Sequence, residues 1–268
     1  LYWLDIFGPA VHSWDMTTNR HLRRECNDLP GALCLDEQGS LLIAEPSAIL
    51  SVNPNSLLTN YVLADLDDTM KGMRFNDGSV DPAGRLLLGV MDLGVKIDKG
   101  YVARYDRANG RLDRIMSDLT LPNGIRWSPD GLNFYVTDSS RGLIFRHAYN
   151  PITGEIGPRE SFAHVPAESG MPDGMALDSE GHLWVALWDG WSIVRFDPKG
   201  KISAQYEIPV PRPTSLCFGG PDLGTLFITT AYVRLTAEQL DSAPLSGSVL
   251  AFEPGVKGFS DIRFPSKS

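Results

Sequence analysis

Cysteine is scarce: Cys26, Cys34 and Cys217 are the only three in 268 residues. Three thiols cannot all pair, and none stands at a metal-ligand spacing. A disulfide framework is excluded, and free thiols in a reducing, cytoplasmic setting are expected. No Asn-x-Ser/Thr sequon occurs. Basic charge is also short, with 24 Lys+Arg against 33 Asp+Glu and a net charge of −9. A nucleic-acid partner needs a basic surface for phosphate contacts, so that class is set aside. Apolar runs stop at strand length, as in Leu86–Val90, which leaves nothing able to span a bilayer as a helix and no membrane partner. No Gly-x-Ser-x-Gly elbow is present, which removes the support for a serine hydrolase. Helix signals are nearly missing, and only Thr236-Ala-Glu-Gln-Leu240 reads as a short helical turn. The first residue is Leu1, with no Met and no signal-like segment, so an N-terminal strand is expected to lie outside this sequence.

What is present is a repeat. Asp36-Glu-Gln-Gly39 precedes Leu41-Leu-Ile-Ala-Glu45, and Asp81-Pro-Ala-Gly84 precedes Leu86-Leu-Leu-Gly-Val90. Pro129-Asp-Gly131, Asp178-Ser-Glu-Gly181 and Pro221-Asp-Leu-Gly224 lead into the runs that begin at Phe134, Leu183 and Leu226. The turn glycines at 39, 84, 131, 181 and 224 step by 45, 47, 50 and 43 residues, and Leu1-Tyr-Trp-Leu-Asp5 is a sixth copy without its turn. Further apolar runs follow, such as Val102-Ala-Arg-Tyr-Asp106 before Asn109-Gly110. Short strands joined by Gly/Asn/Asp turns at a period of about 40–50 residues are the pattern of a propeller blade. The reading is all-β: one domain over 1–268, a six-bladed β-propeller of four-stranded blades around a central channel. A β-sandwich has no such internal period.

The functional signal precedes the repeat strands. Asn76, Asn123 and Asp173, each beside or near a glycine, lie 10, 11 and 10 residues before Leu86, Phe134 and Leu183. Such pairs are also common hairpin turns. Here, however, a separate Asp/Gly turn already follows each of them. Equivalent inner-strand positions converge on a propeller's channel, so one carboxylate and two amides are expected to face each other there. Oxygen donors of this kind suit a hard divalent ion: calcium first, with magnesium, manganese or zinc as alternatives.

With those residues in hand, the chain resembles the regucalcin / gluconolactonase / luciferin-regenerating-enzyme family. Arg74-Phe-Asn-Asp-Gly-Ser-Val-Asp-Pro82 is similar to that family's Arg-Phe-Asn-Asp-Gly-Lys-x-Asp-Pro signature, with Ser79 in place of Lys. Pro122-Asn-Gly124, Pro172-Asp-Gly174 and Pro213-Thr-Ser-Leu-Cys-Phe-Gly-Gly220 match further motifs. The resemblance implies one catalytic divalent metal and hydrolysis of sugar lactones. It places Asn123 and Asp173 on metal ligands, Asp173 also on the residue that activates water, and Arg74 and Asn76 on substrate contacts. A third family ligand, a Glu, would lie before Leu1. Asp92–Gly100 resembles a variable loop over the site, which brings Asp92 and Lys96 forward as substrate contacts. Whether Asp173 or a metal-bound hydroxide activates the water stays open. So do the particular lactone and two alternatives: another metal-dependent ester or phosphotriester hydrolase, and a non-catalytic metal-binding propeller.

Other candidates read as structural. His12, His21, His147, His164 and His182 are scattered in sequence. Asp65, Asp67 and Asp68 suggest a calcium loop, but Met70 stands where Gly is needed and Asn76 where Glu is needed. Trp188 and Trp191 flank Asp189-Gly190 and are candidates for the rim of the mouth.

Overall fold

The computed structural model describes residues 1–66, 70–107 and 109–266. Asp67 and Asp68 of the candidate calcium loop therefore lie outside the described residues. Six consecutive antiparallel sheets form a six-bladed β-propeller. The second sheet (Ala32–Leu35, Leu41–Glu45, Ala48–Val52, Thr59–Asp65) has four strands. The third (Met73–Val80, Leu86–Asp92, Gly100–Asp106, Arg111–Leu119) is built the same way, as is the fourth (Pro122–Trp127, Asn133–Asp138, Leu143–Tyr149, Ile156–His164). The fifth sheet (Met171–Leu177, Leu183–Trp188, Ser192–Phe196, Ile202–Glu207) completes the four-stranded set. Among the described residues the first sheet (Tyr2–Asp5, Ala10–Asp15, Arg20–Glu25) and the sixth (Pro213–Gly219, Thr225–Thr230, Val249–Phe252) have three strands each.

The last strands of the sheets are the wettest. Leu41–Glu45 and Leu86–Asp92 are buried at every residue, whereas Thr59–Asp65, Ile202–Glu207 and Arg20–Glu25 show the alternation of a strand with one wet face. The repeat strands found in the sequence are thus the second strands of sheets two to six, and Tyr2–Asp5 is the first strand of its sheet.

The turn aspartates explain the repeat. Asp36 Oδ1 accepts the amides of Gln38 (3.0 Å) and Ser40 (2.7 Å), and Asp81 Oδ1 those of Ala83 (2.9 Å) and Arg85 (2.7 Å). Asp178 Oδ1 does the same for Glu180 (3.0 Å) and His182 (2.9 Å). All three aspartates are buried, so each carboxylate substitutes for missing backbone partners at the hairpin end.

The contacts divide the chain into two compact units, 1–122 with 262–268, and 123–261. The first holds two apolar clusters, one around Phe75, Leu86, Leu88 and Ile49, the other around Val11, Leu41 and Ile43. The second unit packs Tyr135, Val185 and Phe196 in one cluster and Trp184, Leu216 and Ile228 in another. The Thr236 turn is a helix, Ala237–Ser242. The Thr236 side chain accepts from Gln239, whose own side chain caps Thr236 in return. No helix among the described residues is long and apolar enough to cross a membrane.

Candidate active site

In the second unit, the first strands of two sheets break register near their starts. The irregularity falls between Pro172 and Met175 in the fifth sheet and between Pro213 and Ser215 in the sixth. The inserted residue of such a bulge is released from the ladder and its side chain is re-aimed. Asp173 and Thr214 occupy those places, and Asn123 stands, like Asp173, between a proline and a glycine near the start of its strand, Pro122–Trp127. The glycines that follow allow close approach. Gly124 sits at φ +51°, and a Cβ there would lie 3.0 Å from the Asp173 carbonyl oxygen. A Cβ on Gly174 would lie 2.8 Å from the Thr214 carbonyl oxygen. The strands bearing Asn123, Asp173 and Thr214 therefore abut at these positions.

Asn123 is 5% exposed, and its Nδ2 donates to Ser139 Oγ at 2.7 Å. Ser139 is buried and opens the 3-10 turn Ser139–Arg141. Asp138 steadies that turn by accepting from Ser140 Oγ (2.9 Å) and Arg141 Nη1 (3.0 Å). Nδ2 is committed to Ser139, and Oδ1 is the end of the amide that a hard cation needs. The side chains of Asn123 and Asp173 carry oxygen donors, with one negative charge between them. Thr214 Oγ1 lies 2.7 Å from Thr229 Oγ1.

In the first unit, the third sheet has its register shift between Phe75 and Asp77, which makes Asn76 the corresponding bulge residue. Its Nδ2 donates to the Pro122 carbonyl at 3.0 Å. Arg74, two residues earlier, is 9% exposed and donates from Nη1 to the Phe75 carbonyl at 2.9 Å. Asp92 pairs with Met73 at the same strand end. Desolvation opposes its ionisation, yet the Gly94 amide (2.8 Å) and Lys96 (3.4 Å) hold its carboxyl below the usual range. Asp92 thereby caps the turn that begins Asp92–Gly100, as Asp5 does for Gly8 (2.7 Å).

Ser139 and Thr214 were not reached from the sequence. Thr214 had a signal, since Arg212-Pro-Thr214 repeats the spacing of Arg74-Phe-Asn76. Ser139 had none, because it lies sixteen residues from Asn123. The histidines are less dispersed in space than in sequence. His12 Nδ1 lies 2.9 Å from His21 Nε2, with centroids 5.1 Å apart and planes 5° from parallel. That is an N–H···N hydrogen bond between the two rings, which occupies one nitrogen of each. Asp178, Glu180 and His182 also bring ligand atoms within 4.8 Å of one another. The Arg195 guanidinium already supplies the positive charge there, 2.7 Å from Asp178 and 2.6 Å from Glu180.

Comparison with known proteins converges on one family. The family model for the SMP-30/Gluconolactonase/LRE-like region matches residues 1–232. The pentonolactonase XacC of Haloferax volcanii is 33% identical over 241 residues, covering 86% of this chain and 77% of that protein. Regucalcin of Danio rerio is 39% identical over 188 residues, 69% of this chain and 64% of its own length. The crystal structure of regucalcin, a calcium-binding protein, from Agrobacterium tumefaciens superposes with a TM-score of 0.90 at 27% identity, covering 98% of this chain and 88% of that one.

Proposed function

The chain belongs to the SMP-30/gluconolactonase/LRE-like family, and from that premise we propose that it hydrolyses a small sugar-type lactone with the aid of one divalent ion. Lactonase-type relatives support the reaction class, and the calcium-binding neighbour supports a divalent ion. The observation that carries the reading is the Asn123 amide. It is buried, held by Ser139 through its nitrogen, and set on a strand that abuts the strand of Asp173.

In this reading Asn123 Oδ1 and the Asp173 carboxylate hold the ion. When bound, the ion supplies Lewis-acid polarisation of the lactone carbonyl. Asp173 takes a proton from the attacking water and returns it to the departing ring oxygen. Arg74 and Asn76 orient the carbonyl and ring hydroxyls, the guanidinium doing so through a fixed fork of donors that Lys would not reproduce. Asp92 and Lys96 contact the substrate from the Asp92–Gly100 loop.

The test is a pH-stat panel on chelated protein. Glucono-δ-lactone, pentono-γ-lactones, a simple aryl ester and a phosphotriester are each assayed with calcium, magnesium, manganese or zinc restored. Turnover of the sugar lactones alone, and only with metal, supports the proposal. Turnover confined to the aryl ester or phosphotriester replaces it with another hydrolase. The likeness to calcium-binding regucalcin favours one second reading, a non-catalytic metal-binding propeller. That reading predicts calcium binding with no turnover of any substrate.

A further inference from the structure

The turn Asp189-Gly190-Trp191 joins Leu183–Trp188 to Ser192–Phe196 at the Asp173 end of the fifth sheet, where Met171 pairs with Trp188. Two of its residues are left-handed without being glycine: Asp189 at φ +59° and Trp191 at φ +52°. Aspartate tolerates this region, but a bulky indole there is an outlier with a steric cost. The turn itself does not require it, since Gly or Asn would give the same backbone. Burial does not explain it either, because Trp191 is 45% exposed.

The surroundings hold this unfavourable conformation firmly. The Trp191 amide donates to the Pro211 carbonyl (3.3 Å), and its own carbonyl accepts from Ile208 (2.9 Å). Arg212 bonds Asp189 (2.5 Å) and lies over the Trp188 ring at 4.9 Å. Ser192 is occupied by the Gly190 carbonyl (2.9 Å) and Gln205 (3.1 Å). The polar side chains of the rim thus bond to one another or to backbone. Besides the Asp189 carboxylate, which is bonded to Arg212, the turn and its partner strand present apolar surface to solvent: Trp191 and Met171, the latter 36% exposed, next to half-buried Trp188. Strain kept in place by a rigid frame is a feature of ligand clamps.

We propose that Trp191, with Met171 and Trp188, forms a subsite for an apolar substituent, hydrocarbon or aromatic, carried by the lactone. The inference rests on the proposed role of Asp173, two residues from Met171. Strands in a sheet lie about 4.8 Å apart, which sets the turn roughly 5–10 Å outward from the Asp173 strand. A group stacked on Trp191 is therefore about one ring's width beyond a carbonyl reacting at Asp173. An aromatic face suits such a group, and the bonded polar groups offer a second sugar little to hold.

The test compares the parent with Trp191→Asn, because Asn accepts the left-handed conformation and keeps the turn folded. γ-Decalactone provides the hydrocarbon arm, γ-phenyl-γ-butyrolactone the aromatic arm and a pentono-γ-lactone the unsubstituted comparator. Substituted lactones should lose about tenfold in kcat/KM relative to the comparator on substitution, through KM. The arm that loses more identifies the substituent, and the melting temperature should not fall. Calorimetric binding of γ-decalactone to the metal-loaded protein separates the two claims. Trp191-dependent binding without turnover of any lactone leaves the subsite standing and removes the proposed reaction. An unchanged selectivity ratio, or γ-decalactone binding that is absent or indifferent to Trp191→Asn, overturns the subsite.

Discussion

Asn123 and Ser139 are joined by a buried hydrogen bond of 2.7 Å from the amide nitrogen to the hydroxyl oxygen. Under the proposed function, the bond decides which end of the amide faces the ion. Partners that orient a metal ligand in this way typically contribute 10–100-fold in affinity. Ser139→Ala should therefore weaken calcium binding by roughly tenfold or more in a calorimetric titration. In an Asn123→Ala background the same substitution should cost almost nothing, because the pair acts through one ligand. Equal losses in both backgrounds would mean that Ser139 supports the fold and not the amide.

Gly124 combines a left-handed φ of +51° with a neighbouring backbone oxygen 3.0 Å from where a Cβ would stand. Gly124→Ala should lower unfolding stability by about 2–4 kcal/mol, from the backbone conformation and the overpacking together. Gly110, left-handed but with open space around it, should lose only about 1–2 kcal/mol from the conformation alone. Denaturant titrations of the two variants make the comparison.

Much of this arrangement was legible in the sequence. The Asp/Gly turns were visible because their cause is local: Asp36, Asp81 and Asp178 each bond amides two and four residues on. Their regular spacing gave the blade count, and Asn76, Asn123 and Asp173 were singled out by their similar offsets from the repeat strands. The bulges were not legible, because a register shift is a property of two strands. Neither was the pairing of Asn123 with Ser139, nor that of His12 with His21 across adjacent strands. The Asp178–Glu180–His182 group was hidden for a related reason, since its counter-charge, Arg195, belongs to the next strand but one.

Asp178 is fully buried and accepts from the Glu180 and His182 amides, from Trp184 Nε1 (2.9 Å) and from Arg195 Nε (2.8 Å). Removing one member of a buried pair leaves its partner uncompensated. Asp178→Ala should therefore cost about 3–5 kcal/mol in stability. The number of divalent ions bound per chain should not change, because the Arg195 guanidinium already bridges the two carboxylates of the cluster. A lost ion would make this cluster a metal site.

Glu45 ends its strand fully buried. Desolvation raises its carboxyl pKa above the ordinary 4.5, despite Cys26, Arg24 and the Asn27 amide acting the other way. In the folded state the proton is held to higher pH than in the unfolded chain. Stability from this group is complete below pH 4.5 and is lost as pH rises through the folded value. Glu45→Gln abolishes that dependence. The variant should gain on the parent steadily as pH is raised from 4 towards 7, as read from paired urea titrations. A constant difference across that range would show that the carboxyl titrates alike in both states.

The central claim is that Asp173 joins ion binding to lactone hydrolysis, and Asp173→Asn tests it most directly. The substitution keeps the shape and one oxygen donor, but removes the charge and the base. Calcium affinity and pentono-γ-lactone turnover should be measured on the same chelated and reloaded samples. The account predicts weakened calcium binding, together with turnover at least 10²-fold below the parent that saturating calcium does not restore. Turnover that returns to the parent rate at saturating calcium, or calcium affinity that matches the parent, would contradict it.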